Sequence, residues 1–200
     1  MVIQKESVIE EVYAVKNWYE RLKEYFPERE MKSKKHFDVL FKEKKGTYKM
    51  MEGLDYLVVY FEQQEYIFID YILVSGNSRG KGVGTVVLNE LKSKGKAIVL
   101  EVEPISEIDP DSEKRIRFYQ RHGFLIVDNI GYERVHLVTN ELNKMDIHCW
   151  SPQCVTEQWV LDCMKEIYSE VHAYKVKEIF GRDPQPASEV LWLKEKVNVQ

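Results

Sequence analysis

Residues 66–85 constrain this chain most. An apolar run, Tyr66–Val74 (YIFIDYILV), leads into Ser78, Arg79, Gly80, Lys81, Gly82, Val83, Gly84 and Thr85, and a helical pattern follows through Leu91. That is a strand, a glycine-rich turn and a helix start. Such a turn presents unpaired backbone N–H groups at a helix N-terminus, where the macrodipole favours an anion. Glycine has no Cβ, so a ligand can approach the backbone closely. The unit predicts an α/β fold carrying a phosphate or pyrophosphate site.

Two phosphate loops do not fit. A P-loop needs G-x-x-x-x-G-K-[ST]; Gly76 to Gly80–Lys81 is one residue short, and Gly82 stands where Ser or Thr holds magnesium. A dinucleotide fingerprint needs G-x-G-x-x-G, whereas Gly80, Gly82 and Gly84 give G-x-G-x-G. A third pattern, R/Q-x-x-G-x-G/A, is matched by Arg79, Gly82 and Gly84. Further on, Phe118 to Phe124 reads F-Y-x-x-x-G-F at the end of a predicted helix. Asp109 is its expected N-cap, Pro110 its first residue and Gly123 its stop. The two motifs, in this order, resemble the GCN5-related N-acetyltransferases (the GNAT family) over roughly residues 1–150.

The resemblance implies a GNAT fold, with a mixed, mostly antiparallel sheet and a central parallel strand pair that splays apart. It implies acetyl-CoA as co-substrate. Arg79, Gly80, Lys81, Gly82, Val83, Gly84 and Thr85 would hold the pyrophosphate. Backbone atoms of Ile72 and Val74 would pair with the pantetheine arm, and the Val74 N–H would meet the oxyanion. Tyr119 would bind the cofactor end and protonate the departing thiolate. Many members carry Asn at the start of the fourth helix and Ala three residues later; here Ser112 and Arg115 stand there. Ser112 remains the expected contact to the arm.

The acceptor side is read from residue types. Asp70 interrupts an otherwise apolar strand, and burial would disfavour its charge. Strict alternation puts it on the side of Ile72 and Val74. Glu101 and Glu103 share a face near the end of the strand 97–103. Asp70 or Glu101 would serve as general base, and Glu103 would attract a cationic amine. Tyr132, with Glu133 and Arg134 in a loop 129–142, would line the acceptor site.

Composition closes off other classes. The chain has 200 residues, 44% hydrophobic and 31% charged, which suits a folded protein. Basic residues number 29 against 33 acidic, so no basic excess points to nucleic acid. No apolar run reaches membrane-spanning length. The acids in MVIQKESVIEEV do not suit a signal peptide, which leaves a cytoplasmic protein. Cys149, Cys154 and Cys163 form no C-x-x-C pair; buried free thiols are expected, and no metal site.

Along the chain, Ser7 to Glu10 is a capping box opening a helix to about Tyr25. A short strand near Val2–Gln4 would precede it. Lys32, Lys34 and Lys35 read as a solvated loop, and Phe37, Leu40 and Phe41 as a second helix. Strands follow at 47–51, 54–61 and 66–74, then a helix 82–94 and the strand 97–103, parallel to 66–74. Segments 125–128 and 143–150 read as a final strand pair. Residues 1–152 form the acetyltransferase-like domain and 153–200 a C-terminal helical extension. Val160, Met164, Ile167, Val171 and Tyr174 stripe one helix of it, ending at Gly181, with a shorter helix at 188–196. That stripe packs on its own core or joins two copies in a homodimer.

The expected activity is transfer of acetyl from acetyl-CoA to a primary amine of a small molecule or peptide, directly in a ternary complex. A non-catalytic coenzyme A-binding module is the alternative. It would show no turnover against any amine.

Overall fold

The computed structural model describes residues 17–107, 109 and 111–195. The capping box at Ser7, the strand near Val2 and Pro110 lie outside the described residues. The first described helix, α1 (Trp18–Tyr25), starts at Asn17, whose side chain accepts from the amides of Tyr19 and Glu20. A 3₁₀ turn, Glu28–Glu30, leads to α2 (Lys34–Glu43), capped by Ser33. Three antiparallel strands follow: β1 (Tyr48–Glu52), β2 (Tyr56–Glu62) and β3 (Tyr66–Val74). Helix α3 (Val83–Lys92) crosses over to β4 (Ala97–Val102), which pairs parallel to β3. Next come α4 (Ser112–Arg121), β5 (Leu125–Ile126), β6 (Ile130–Val135), β7 (Leu142–Lys144) and β8 (Asp146–Trp150).

The main sheet has the order β1-β2-β3-β4-β8-β5. Its two faces bury separate cores. Val87, Leu88 and Leu91 of α3 and Tyr119 of α4 cover Ile67, Ile69 and Ile98 on one face. Leu22, Phe37 and Leu40 of the first two helices cover Phe61, Phe68 and Val99 on the other.

Three segments depart from the sequence reading. The stretch 129–142 is strand β6 followed by a turn, not a long loop, and β6 lies in a second sheet ordered β7-β6-β9. Strand β9 (Leu191–Leu193) comes after α5 (Glu157–Ile167), α6 (Val176–Phe180) and α7 (Ala187–Val190). Where a helix over 188–196 is expected, the chain makes one short turn and then pairs Leu191 with Tyr132 and Leu193 with Ile130. The Trp192 ring lies over Gly131, where a Cβ would come 2.3 Å from the indole. The single expected helix ending at Gly181 is interrupted: α5 widens into a π-turn, Tyr168–His172, before α6. Val160, Met164, Ile167 and Val171 are at most 2% exposed and pack into the core that holds Phe68 and Val99. No helix among the described residues is long and apolar enough to cross a membrane.

Candidate active site

The parallel pair β3–β4 stays in register only from Tyr66↔Ala97 to Ile69↔Leu100, and both strands run on beyond it. They part there because β3 carries a bulge. Opposite β2, Tyr71 pairs with Val59 and Ile69 with Tyr60, so Asp70 is an extra residue. The bulge corrects the expected facing of Asp70. Its carboxylate meets Lys32 Nζ at 2.6 and 2.8 Å and Tyr48 Oη at 2.5 Å, on the α2 side of the sheet. Ile72 packs instead with the α3/α4 core, and Val74 lies against Gly84 of α3. Strict alternation fails at Asp70 because a bulge holds two successive side chains on one face.

Backbone direction beyond the bulge follows from one bond. The Ser75 amide donates to Asp55 O at 2.8 Å, on the β2 side. Alternation then turns the amides of Ile72 and Val74 toward the parted edge. At the end of β3 the chain makes a short turn, Gly76–Ser78, and enters α3 through Gly80 and Gly82 at φ +78° and +83°. Both glycines have open space where a Cβ would stand. Gly82 caps the helix with no side-chain bond, and the first helical bond is Val86 N to Gly82 O, 3.0 Å. The amides of residues 82–85 therefore have no helical partner. This open cradle with unpaired donors fits a pyrophosphate. Gly84 answers to packing: a Cβ there would come 3.0 Å from the Phe118 ring. Arg79 is tied to the neighbouring helix, 3.1 Å from Asp111, and lies over the Tyr25 ring. Thr85 Oγ1 bonds His122 Nε2 at 2.9 Å. Because His122 Nδ1 donates to Phe118 O, Nε2 is the acceptor of the Thr85 hydroxyl.

A cleft of about 90 Å³ opens between the parted strands. Ile72, Tyr119, Asp70, Glu101 and Glu103 line it, as does Arg134, expected near the acceptor; Glu30, Lys32, Arg115 and His172, which the sequence reading did not assign there, line it too. Tyr119 is 5% exposed, and burial holds its phenol well above the usual range, so it stays protonated. Its helix ends as expected: Gly123 has φ +73° and donates to Gln120 O. The start differs. Asp111, not Asp109, is the N-cap, and the Asp109 carboxylate accepts from the Asp111 amide at 3.0 Å.

Two expected contacts are not placed at the cleft. Ser112 is 1% exposed; its hydroxyl donates to Asp109 O at 2.6 Å and accepts from Ser106 N at 3.1 Å. It staples the loop before α4 and has no free reach to a pantetheine arm. Tyr132 is 3% exposed on β6, inside the core, and its hydroxyl accepts from Arg134 Nε at 3.0 Å. Its place in a strand, where a loop was expected, takes it out of the acceptor wall.

The carboxylates of the cleft differ in how they are matched. Lys32, expected in solvent, is 8% exposed and paired to Asp70. Burial pulls its ammonium below the usual range, and Asp70 opposes that. Glu101 accepts from His172 Nε2 at 2.8 Å and lies 4.0 Å from Arg134. Burial alone would raise the Glu101 carboxyl; His172, Arg134 and Lys32 bring it down to about 2. Burial keeps His172 below its ordinary value, so its neutral ring donates Nε2–H. Glu103 pairs with Arg29 at 3.2 Å. The Tyr71 hydroxyl, donating to Glu30 O at 2.7 Å and accepting from Lys32 N at 2.9 Å, pins the 28–32 segment over the bulge.

Cys149 and Cys163 are buried, with thiols raised by burial to about 11 and 12, but Cys154 is exposed, against expectation. Among the described residues no group of three His, Cys, Asp or Glu side chains is placed to hold a metal.

A model of the "Acetyltransferase (GNAT) family" matches residues 12–124. A protein of Bacillus subtilis (strain 168) described as "Putative acetyltransferase YjbC" is 46% identical over 175 residues, which is 88% of this chain and 91% of that one. A solved structure described as "Putative acetyltransferase from GNAT family from Bacteroides thetaiotaomicron" overlays with a TM-score of 0.63 at 20% identity. It covers 82% of this chain and 90% of its own.

Proposed function

The chain belongs to the GNAT family of acetyltransferases, and from that premise we propose that it moves an acetyl group from acetyl-CoA to a primary amine by direct transfer. The observation that carries this reading is the parting of β3 and β4 beyond Ile69 and Leu100. Ile72 and Tyr119 line the cleft that opens there, and β3 runs on from it into the open glycine turn.

When bound, acetyl-CoA would supply the thioester whose carbonyl carbon the amine attacks. The chain supplies the rest. Amides 82–85 hold the pyrophosphate, with Arg79 and Lys81 adding positive charge. The edge amides of Ile72 and Val74 align the pantetheine arm, and the Val74 N–H donates to the oxygen that gains charge in the transition state. The Tyr119 phenol, kept protonated by burial, donates to the leaving thiolate. Asp70 and Glu101, the two carboxylates expected as bases, are each held by a cation and a hydrogen bond. They order the floor of the cleft. The acceptor is a small molecule or peptide amine that enters from the Glu30–Glu103 side, and the protein works in the cytoplasm.

Thiol release from acetyl-CoA, measured with a panel of primary amines, tests the reaction. Amine-dependent release is expected. Calorimetry tests the cradle: Gly82→Glu should abolish acetyl-CoA binding in a folded protein, by filling the turn and by like charge. Unchanged affinity in that variant would remove the pyrophosphate assignment.

A further inference from the structure

Each carboxylate lining the cleft has a cation within ion-pair distance, with one exception. Asp70 has Lys32 at 2.6 Å, Glu101 has Arg134 at 4.0 Å and Glu103 has Arg29 at 3.2 Å. Arg115, the remaining cation of the lining, is paired with Asp109. Glu30 has no ion pair among the described residues, yet it lines the same cleft as Tyr119 and Ile72. Its carboxyl is close enough to that of Glu103 to feel its negative charge. The Tyr71 hydroxyl fixes its backbone, so the carboxyl is presented by a pinned turn and not by a free loop.

From this arrangement we infer that Glu30 is the general base of the reaction: it receives the acceptor's ammonium and takes its proton, with the Glu103 carboxylate lining the same cleft beside it. The inference rests on the acetyltransferase reading above. In the step, the ammonium N–H bond breaks, the proton goes to a Glu30 carboxylate oxygen directly or through one water, and the nitrogen keeps its electron pair. That pair then forms the bond to the acetyl carbon as the C–S bond breaks, and Tyr119 supplies the proton for the sulfur. The amine nitrogen, still carrying an extra proton after attack, loses it to solvent, and the proton that Glu30 took returns through solvent to the Tyr119 phenolate, so that one proton is released per turnover.

The surroundings suit this task. Burial first, and then the Glu103 charge, push the Glu30 carboxyl up to about 7, against the pull of Arg115 and Arg29. Tyr25 of α1 and Tyr119 of α4 also face this end of the cleft, and Lys32, Asp70, Glu101, Arg134 and His172 lie deeper. A base whose pKa lies near the working pH accepts a proton from an amine more readily than an ordinary carboxylate does. The one unmatched negative charge favours an acceptor with a single cationic nitrogen at the reacting end.

The test uses the full chain and the monoamine or diamine that it turns over fastest in the panel. Glu30→Gln should lower kcat/KM about 100-fold or more and remove the acid limb of the pH profile, whose midpoint lies at about 7. Acetyl-CoA affinity, measured by calorimetry, should not change. Glu103→Gln should move the limb to lower pH, because a like charge is removed. Carbon-13 titration of the glutamate carboxyls reads the same group without substrate: one resonance with a midpoint near 7 should vanish in Glu30→Gln. Wild-type kcat/KM with an unmoved limb in Glu30→Gln overturns the inference alone. A chain that binds acetyl-CoA and turns over no amine overturns both this and the acetyltransferase reading.

Discussion

The two faces of the main sheet are built on different principles. The face under α3 and α4 buries Val58, Ile67, Val87, Leu88, Leu91 and Ile98 against one another, with no ion pair among them. The face under α1, α2 and α5 buries Lys32, His36, His136 and His172 at 8% exposure or less, beside Asp70, Glu101 and Arg134. An apolar contact is stable by burial alone. A buried charge is tolerable only with its partner in place, and replacing such a pair with apolar residues is often neutral or stabilising. The first face carries the glycine turn; the second shapes the cleft and sets its charge. The difference teaches that this fold accepts lower stability on one face in order to hold charges around the cleft.

The sharpest way to break the contrast is to strand one charge. Lys32→Ala leaves the Asp70 carboxylate buried without its cation and should cost about 3–5 kcal/mol in denaturant unfolding. Lys32→Met combined with Asp70→Asn should cost clearly less than the sum of the two single changes; strict additivity would mean that the pair is not coupled. On the apolar face, Leu88→Ala should cost about 3 kcal/mol by cavity formation, equally at pH 6 and pH 8. A pH-dependent cost there would blur the distinction between the faces. Tyr119 belongs to the apolar core yet lines the cleft. Tyr119→Phe should lower turnover about 10–1000-fold and leave cofactor affinity unchanged, read by parallel kinetics and calorimetry. Wild-type turnover would make it a packing residue.

The smallest effect concerns stability. The Glu30 carboxyl is raised in the folded chain, so its contribution favours folding at low pH and is lost as pH rises through about 7. Glu30→Gln should therefore raise Tm at pH 8, by roughly 3–6 °C, and change it little at pH 5. A lowered Tm at pH 8 would show the carboxylate to be stabilising instead.

The elements governed by local rules were legible in the sequence. The strand Tyr66–Val74, the Gly80–Gly82 turn, α3 and the Gly123 stop all depend on neighbours within a few residues. What escaped depends on partners far along the chain. The bulge at Asp70 is set by pairing with β2 and leaves no mark on the alternation of side chains. Lys32 reads as solvent-exposed because Lys34 and Lys35 follow it; its burial comes from Asp70 and Tyr71. One signal was present: a carboxylate inside an apolar strand calls for a cation somewhere, and Lys32, Arg134 and His172 are the groups that answer on that face. Strand β6 was missed because its partner β9 lies at the far end of the chain. Glu30 had no local signal, since its importance comes from the pinned turn that brings it to Glu103.

His172 reaches Glu101 across 71 residues of sequence. A ribosome adds about 5–20 residues per second, so the carboxylate waits roughly 4–14 s during synthesis for the ring that will bond it. Arg134 arrives in between. The glycine turn and α3 precede all of these in the order of synthesis. The chain therefore makes its glycine turn early and can close the floor of its cleft only late. A nascent chain that stalls before the π-turn at 168–172 would carry the glycine turn with an unfinished cleft floor.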